Sequence, residues 1–261
     1  MHVRNLPRGK SCVQLALILL TWGLASGLAA GQQNKAKPPH VVFLFSDHYS
    51  PDKTMPPVVD QWAKQYGFKA TYLGMENDRT NMPGLEALKT ADLMVVFMRW
   101  RSLPEEQFRH ILDYLQAGGP VVGLRTATHA TRYPKGHKLE PWGADGFGPK
   151  VFGQKWLRHG KYDRVVAAKG AEKHPILDGV DVSKLDAGDL YHLLPVPKSI
   201  EPVLIGRRAD LDCPVAWTWK PFGGRVFYTS FGRQNDFKNP QFRRLLLNSF
   251  YWAMDRKLPE R

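Results

Sequence analysis

The stretch Gly118-Gly119-Pro120-Val121-Val122-Gly123-Leu124-Arg125-Thr126-Ala127-Thr128-His129 decides the fold. Two glycines close a helix, a proline opens a run of apolar strand formers, and the run stops at a polar cluster. An unbroken apolar run suits a strand buried on both faces, as in a parallel sheet covered by helices. Working backwards, Phe108, Ile111, Leu112 and Leu115 fall at i, i+3, i+4 and i+7. Ser102 and Glu105 are spaced as a capping box around Pro104, so a helix is expected to run up to Gly118. Earlier still come strands over 92–97 and 69–73, a helix over 58–66, and Val41-Val42-Phe43-Leu44-Phe45, which breaks into Ser46-Asp47-His48-Tyr49-Ser50-Pro51. Strands that alternate with helices imply a doubly wound α/β sheet.

Working forwards, residues 133–160 are rich in Gly, Pro, Trp and Lys without periodicity, which reads as a loop insertion lying over a site. Four short strands are expected over 164–168, 202–206, 215–219 and 226–229. The chain closes on a helix with Asn239 as N-cap, Pro240 in its first position, and Phe242, Leu245, Leu246, Ser249, Phe250 and Ala253 on one face. His174-Pro175-Ile176-Leu177-Asp178-Gly179 reads as a turn and cap.

The whole sequence has 261 residues, 43% hydrophobic, with 37 Lys+Arg, 24 Asp+Glu and two cysteines. Those figures exclude a disordered, collagen-like or disulfide-stapled chain. A basic opening with Arg4, Arg8 and Lys10, an apolar run from Cys12 to Ala25 and a small-residue end at 26–31 predict a signal peptide over 1–30. A polar linker over 31–39 and one domain over 40–261 follow. The protein is therefore expected to be exported, to the periplasm or the extracellular space, and to have no stable membrane insertion once the signal is cleaved. Cys213 would then stand alone, and because it precedes Pro214 in a strand it reads as structural. The basic residues are scattered and export removes a genomic partner, so no nucleic acid is expected.

In an open parallel sheet ligands lie at the carboxyl ends of the strands. That rule selects Asp47 and His48, Arg99 and Arg101, Arg125 with His129, and Arg233 with Asp236. The guanidinium forks of Arg99, Arg125 and Arg233 suit carboxylates, phosphates or vicinal hydroxyls, and pairing with Asp47, Glu76, Asp189 or Asp236 is the structural alternative. His48, His129, His137, His159, His174 and His192 include candidate proton carriers. Their spacing matches no metal motif, so no cofactor is expected, zinc being the ion that such imidazoles would take. Trp142, Trp156, Tyr133 and Tyr191 suit stacking on a sugar, whereas Trp217 or Trp219 suits the core. No nucleophile elbow, Walker loop or dinucleotide fingerprint occurs.

Asp92-Leu93-Met94-Val95-Val96-Phe97, the 118–129 stretch, Asp189-Leu190-Tyr191, and Gly223-Gly224-Arg225-Val226-Phe227-Tyr228-Thr229-Ser230-Phe231-Gly232-Arg233 together resemble the trehalose-utilisation ThuA-like family. The resemblance runs in order from residue 41 to residue 254. It implies a flavodoxin-like three-layer α/β/α sandwich with a mostly parallel sheet, similar to class I glutamine amidotransferases but without their cysteine, since Leu124-Arg125-Thr126 fills that turn. A glutaminase is thus not expected. Family members commonly carry histidine where Arg125 and Arg233 stand. What the resemblance implies is a role in carbohydrate catabolism on a small-molecule sugar derivative, a 3-keto disaccharide being the candidate. An isomerase or hydrolase would use His129 or His48 as proton carrier, with Asp47 or Asp189 orienting it and Arg125, Arg233, Arg99 and Tyr191 binding substrate. The alternative is a carbohydrate-binding or accessory domain without turnover.

Overall fold

In the computed structural model the described residues are 37–257, apart from 47 and 77. The expected signal peptide over 1–30, most of the linker and Asp47 lie outside them. Ten strands and three α-helices follow in the order β1 (His40–Ser46), α1 (Pro51–Tyr66), β2 (Lys69–Leu73), β3 (Leu93–Met98), α2 (Glu105–Gln116), β4 (Val121–Leu124), β5 (Arg158–Gly160), β6 (Arg164–Ala167), β7 (Leu190–His192), β8 (Glu201–Arg208), β9 (Leu211–Trp219), β10 (Val226–Thr229) and α3 (Pro240–Ala253).

Eight strands form one sheet in the order β2-β1-β3-β4-β10-β9-β8-β6. The first five are mutually parallel and the last three join antiparallel. Because β1, β3, β4 and β10 are buried along their whole lengths, they had to read as continuous apolar runs. Alternate side chains feed two cores. Phe43, Val95 and Phe227 pack under α1 and α3, while Leu44, Val96 and Tyr228 pack under α2 and the 133–152 segment. That is the three-layer sandwich.

Several local expectations need correction. The capping box does not form: Ser102 Oγ donates to the Arg132 carbonyl, Glu105 pairs with Arg109 and Lys138, and the α2 cap position is Pro104 without a side-chain bond. Its buried face uses Tyr114 beside Phe108, Ile111 and Leu115, and Leu112 is only half-buried. Helix α1 begins seven residues before the expected 58, carrying Pro56 and Pro57 inside it. A 3₁₀ helix at Leu85–Thr90 and the pair β5 with β7 were not anticipated. Asn239 does cap α3, its side chain accepting from the Gln241 amide at 2.9 Å. Trp217 is fully buried, and its indole N–H donates to the Phe152 carbonyl at 2.9 Å. Cys213 is a buried free thiol.

Gly123 is required by packing. A Cβ on Gly123 in the middle of β4 would come within 2.3 Å of the Phe152 ring.

Candidate functional site

Strand register delivers the site. The last β1–β3 pair is Ser46 with Met98, so His48 and Arg99 emerge side by side where the strand order reverses. The last β4–β10 pair is Leu124 with Thr229, so Arg125 and Ser230 emerge together. Three non-glycine residues just beyond strand ends hold left-handed backbone: Ser50 (φ 54°), Trp100 (φ 51°) and Arg125 (φ 45°). Such conformations cost roughly 1–3 kcal/mol each and gather at functional sites.

Arg125 is fully buried. It donates to the carbonyls of Asp189 (2.9 Å) and Ser230 (3.1 Å), to Tyr49 Oη (2.9 Å) and to Asp189 Oδ2 (2.8 Å), and its guanidinium lies between the Tyr49 and Tyr191 rings. The other Asp189 oxygen lies 2.8 Å from His159 Nδ1. A carboxylate only accepts, so Nδ1 carries a proton, and in the neutral form of the ring Nε2 holds the lone pair. Partial burial pushes the Asp189 carboxyl up, but the His159 hydrogen bond and the Arg125 charge outweigh it and hold the group below the usual carboxylate range.

His129 sits on the turn after β4, almost wholly buried, its ring 5.5 Å from Trp156, 5.9 Å from Trp100 and 6.0 Å from Tyr191. Burial first, then the charge of Arg99, pushes its pKa down to about 3, so it is neutral at ordinary pH. His48 is exposed, stacks near Tyr49, and lies 2.6 Å from Arg99 Nη1. Arg99 in turn lies 3.6 Å over the Trp100 ring.

The structure thus brings together His48, Arg99, Arg125, His129, Asp189 and Tyr191. Arg233 is turned aside into ion pairs with Asp186 (2.5 Å) and Asp236 (3.5 Å), and Asp236 itself accepts from the amides of Gly232 and Arg233. Burial raises the Asp236 carboxyl. Tyr191 is nearly inaccessible and packs as a wedge between Arg125, His129 and His159. The orienting contact of Asp189 falls on His159 and not on His129 or His48. His159 reaches the site because β5 pairs with β7 and sets it opposite Tyr191.

A recess of about 310 Å³ opens beside His48 and another of about 310 Å³ beside His159 and Asp189. Larger recesses, about 590 and 780 Å³, lie at the amino edge of the parallel strands, away from the converging histidines and arginines. Among the described residues no group of three or more His, Cys, Asp or Glu side chains is placed to hold a metal ion. No described helix is long and apolar enough to cross a membrane.

The sheet order defines a flavodoxin-like α/β sandwich with a polar crevice at the carboxyl edge of its switch point. The chain belongs to the ThuA family, described as trehalose utilisation, whose model matches residues 41–253. Membership supports a carbohydrate-related role. The fold is similar to that of a ThuA-like protein from Bacteroides uniformis ATCC 8492, with TM-score 0.63 and 18% identity over 85% of this chain and 94% of that one. It is also similar to a ThuA-like protein from Parabacteroides merdae ATCC 43184, with TM-score 0.57 and 17% identity over 86% and 94%. A β-galactosidase from Rahnella sp. R3 shares the fold over 85% of this chain and 33% of its own, with TM-score 0.51 and 14% identity. No curated protein matches the sequence significantly.

Proposed function

We propose that this protein, once exported, acts on a sugar derivative in the carboxyl-edge crevice by proton transfer, a 3-keto disaccharide being the candidate substrate. The observation that carries this reading is the single carboxylate of Asp189 shared between buried Arg125 and half-exposed His159. Arg125 fixes the carboxylate, the carboxylate fixes the imidazole tautomer, and Nε2 of the neutral, half-exposed ring serves as the base. Proton abstraction next to a keto group would leave an imidazolium beside Asp189 and an oxyanion on the sugar. Arg99, half-buried and next to His48, is the nearby donor for that oxyanion. Arg125 itself is a positioning residue, because none of its surface is accessible. Export rests on the order of basic, apolar and small residues over 1–30.

The test is turnover of 3-ketotrehalose by the wild-type protein and by His159→Gln, with substrate affinity measured alongside. A loss of about 10²–10⁴-fold in kcat with affinity retained is expected for a general base. Unchanged turnover in the variant would overturn the assignment. Saturable binding with no turnover in the wild type would favour the accessory, carbohydrate-binding reading.

A further inference from the structure

Trp100 gathers three arginines. Its indole has the Arg99 guanidinium at 3.6 Å from the ring centroid, Arg132 at 5.7 Å and Arg79 at 5.9 Å. They come from separate places in the chain: Arg79 from the segment after β2, Arg99 from the end of β3, and Arg132 from the segment after the 125–129 turn. Among the described residues none of the three is in an ion pair with a carboxylate. The acid nearest in sequence, Asp78, spends one oxygen on the amide and hydroxyl of Thr80. Arg79 and Arg132 are exposed and Arg99 is half-buried, so the cluster faces outward.

Like charges held this close repel one another unless something compensates them. An indole face offers roughly 0.5–1 kcal/mol per exposed cation, too little to explain the convergence of three. The platform is also held at a cost, since Trp100 keeps a left-handed φ of 51° although it is neither glycine nor asparagine. Its amide donates to the His129 carbonyl at 3.0 Å, and its ring lies beside the candidate site, 5.9 Å from the His129 imidazole.

We infer that the sugar bound at this site carries an oxyanion substituent, a carboxylate, phosphate or sulfate, which the guanidiniums of Arg79, Arg99 and Arg132 hold above Trp100. The inference rests on reading the carboxyl-edge cluster as a sugar site. Guanidinium forks match planar and tetrahedral oxyanions through paired hydrogen bonds.

The experiment is calorimetric titration at low salt with glucose, glucuronic acid, glucose 6-phosphate, glucose 6-sulfate and inorganic phosphate, on wild type and on Arg79→Ala/Arg132→Ala. Both side chains are exposed and their main-chain bonds survive the substitution, so the variant is expected to fold. At least tenfold tighter binding of one of the anionic sugars than of glucose is expected, with the preference falling below threefold in the double variant and glucose affinity unchanged. The choice among glucuronic acid, phosphate and sulfate names the oxyanion. Equal affinity for glucose and all three anionic sugars overturns the inference while leaving the sugar site standing, as does a preference that survives in the double variant. Arginine-dependent binding of inorganic phosphate with no sugar bound more tightly than phosphate would sink the sugar-site reading and leave an anion site. No binding of any probe overturns both.

Discussion

The Asp189 carboxylate lies 2.8 Å from the Arg125 guanidinium, with the arginine side chain wholly buried and the acid more than a third exposed. The pair is therefore lopsided: Arg125 is part of the scaffold, and Asp189 reaches out to the working surface. Arg125→Met should leave two main-chain carbonyls without their donor and cost about 2–4 kcal/mol in urea denaturation. Asp189→Asn should cost less, because its amide oxygen can still accept from the Arg125 guanidinium and its partly exposed side chain stays solvated. Equal losses would mean that the arginine is not the structural member.

The same carboxylate fixes a tautomer. Nitrogen chemical shifts of the imidazole should report His159 in the Nδ1–H form, and Asp189→Ala should let both forms coexist. An Nε2–H form in the wild type would remove the basis for assigning His159 as base.

Acid stability follows from His129. The folded protein keeps this imidazole neutral until the pH nears 3, whereas in the unfolded chain it takes a proton near pH 6.5. Across that window the unfolded state binds more protons, so stability falls as the pH is lowered. Asp189 adds a loss of the same sign at the acid end, because its native carboxyl is held below the usual range. Asp236 opposes both, since burial makes the native carboxyl take up its proton first. The melting temperature of His129→Gln should fall less steeply than that of the wild type between pH 6.5 and 4; parallel slopes would locate the acid sensitivity elsewhere.

Gly123→Ala should be poorly tolerated. The added methyl meets a ring in a fully packed layer, and overpacking of this kind typically costs about 1–3 kcal/mol. The companion change Phe152→Leu should recover part of the loss, and a double variant no more stable than Gly123→Ala alone would show that the ring is not the obstacle.

The parallel half of the fold was legible because burial on both faces left β1, β3 and β4 as unbroken apolar runs that stop at polar residues. The same stops marked His48, Arg99, Arg125 and His129, which the register of β1 with β3 and of β4 with β10 then drew together. His159 escaped emphasis because its position depends on two three-residue strands 30 residues apart, and nothing local in Arg158-His159-Gly160 announces that pairing. The start of α1 was hidden by Pro56 and Pro57, residues that ordinarily end a helix but here lie within one. The fully enclosed state of Arg125 was equally hidden, because a turn residue next to a polar cluster reads as exposed until Tyr49, Asp189 and Ser230 close around it.

The left-handed backbone at Ser50 and Trp100 sets stability against use. Glycine adopts that conformation without strain, so a library selected only for heat resistance would be drawn toward glycine at both positions. At position 100 such a winner would lose the aromatic floor on which three cations rest. Directed evolution of this scaffold therefore has to select for ligand capture and thermal tolerance in the same round, or it will erase its own binding surface.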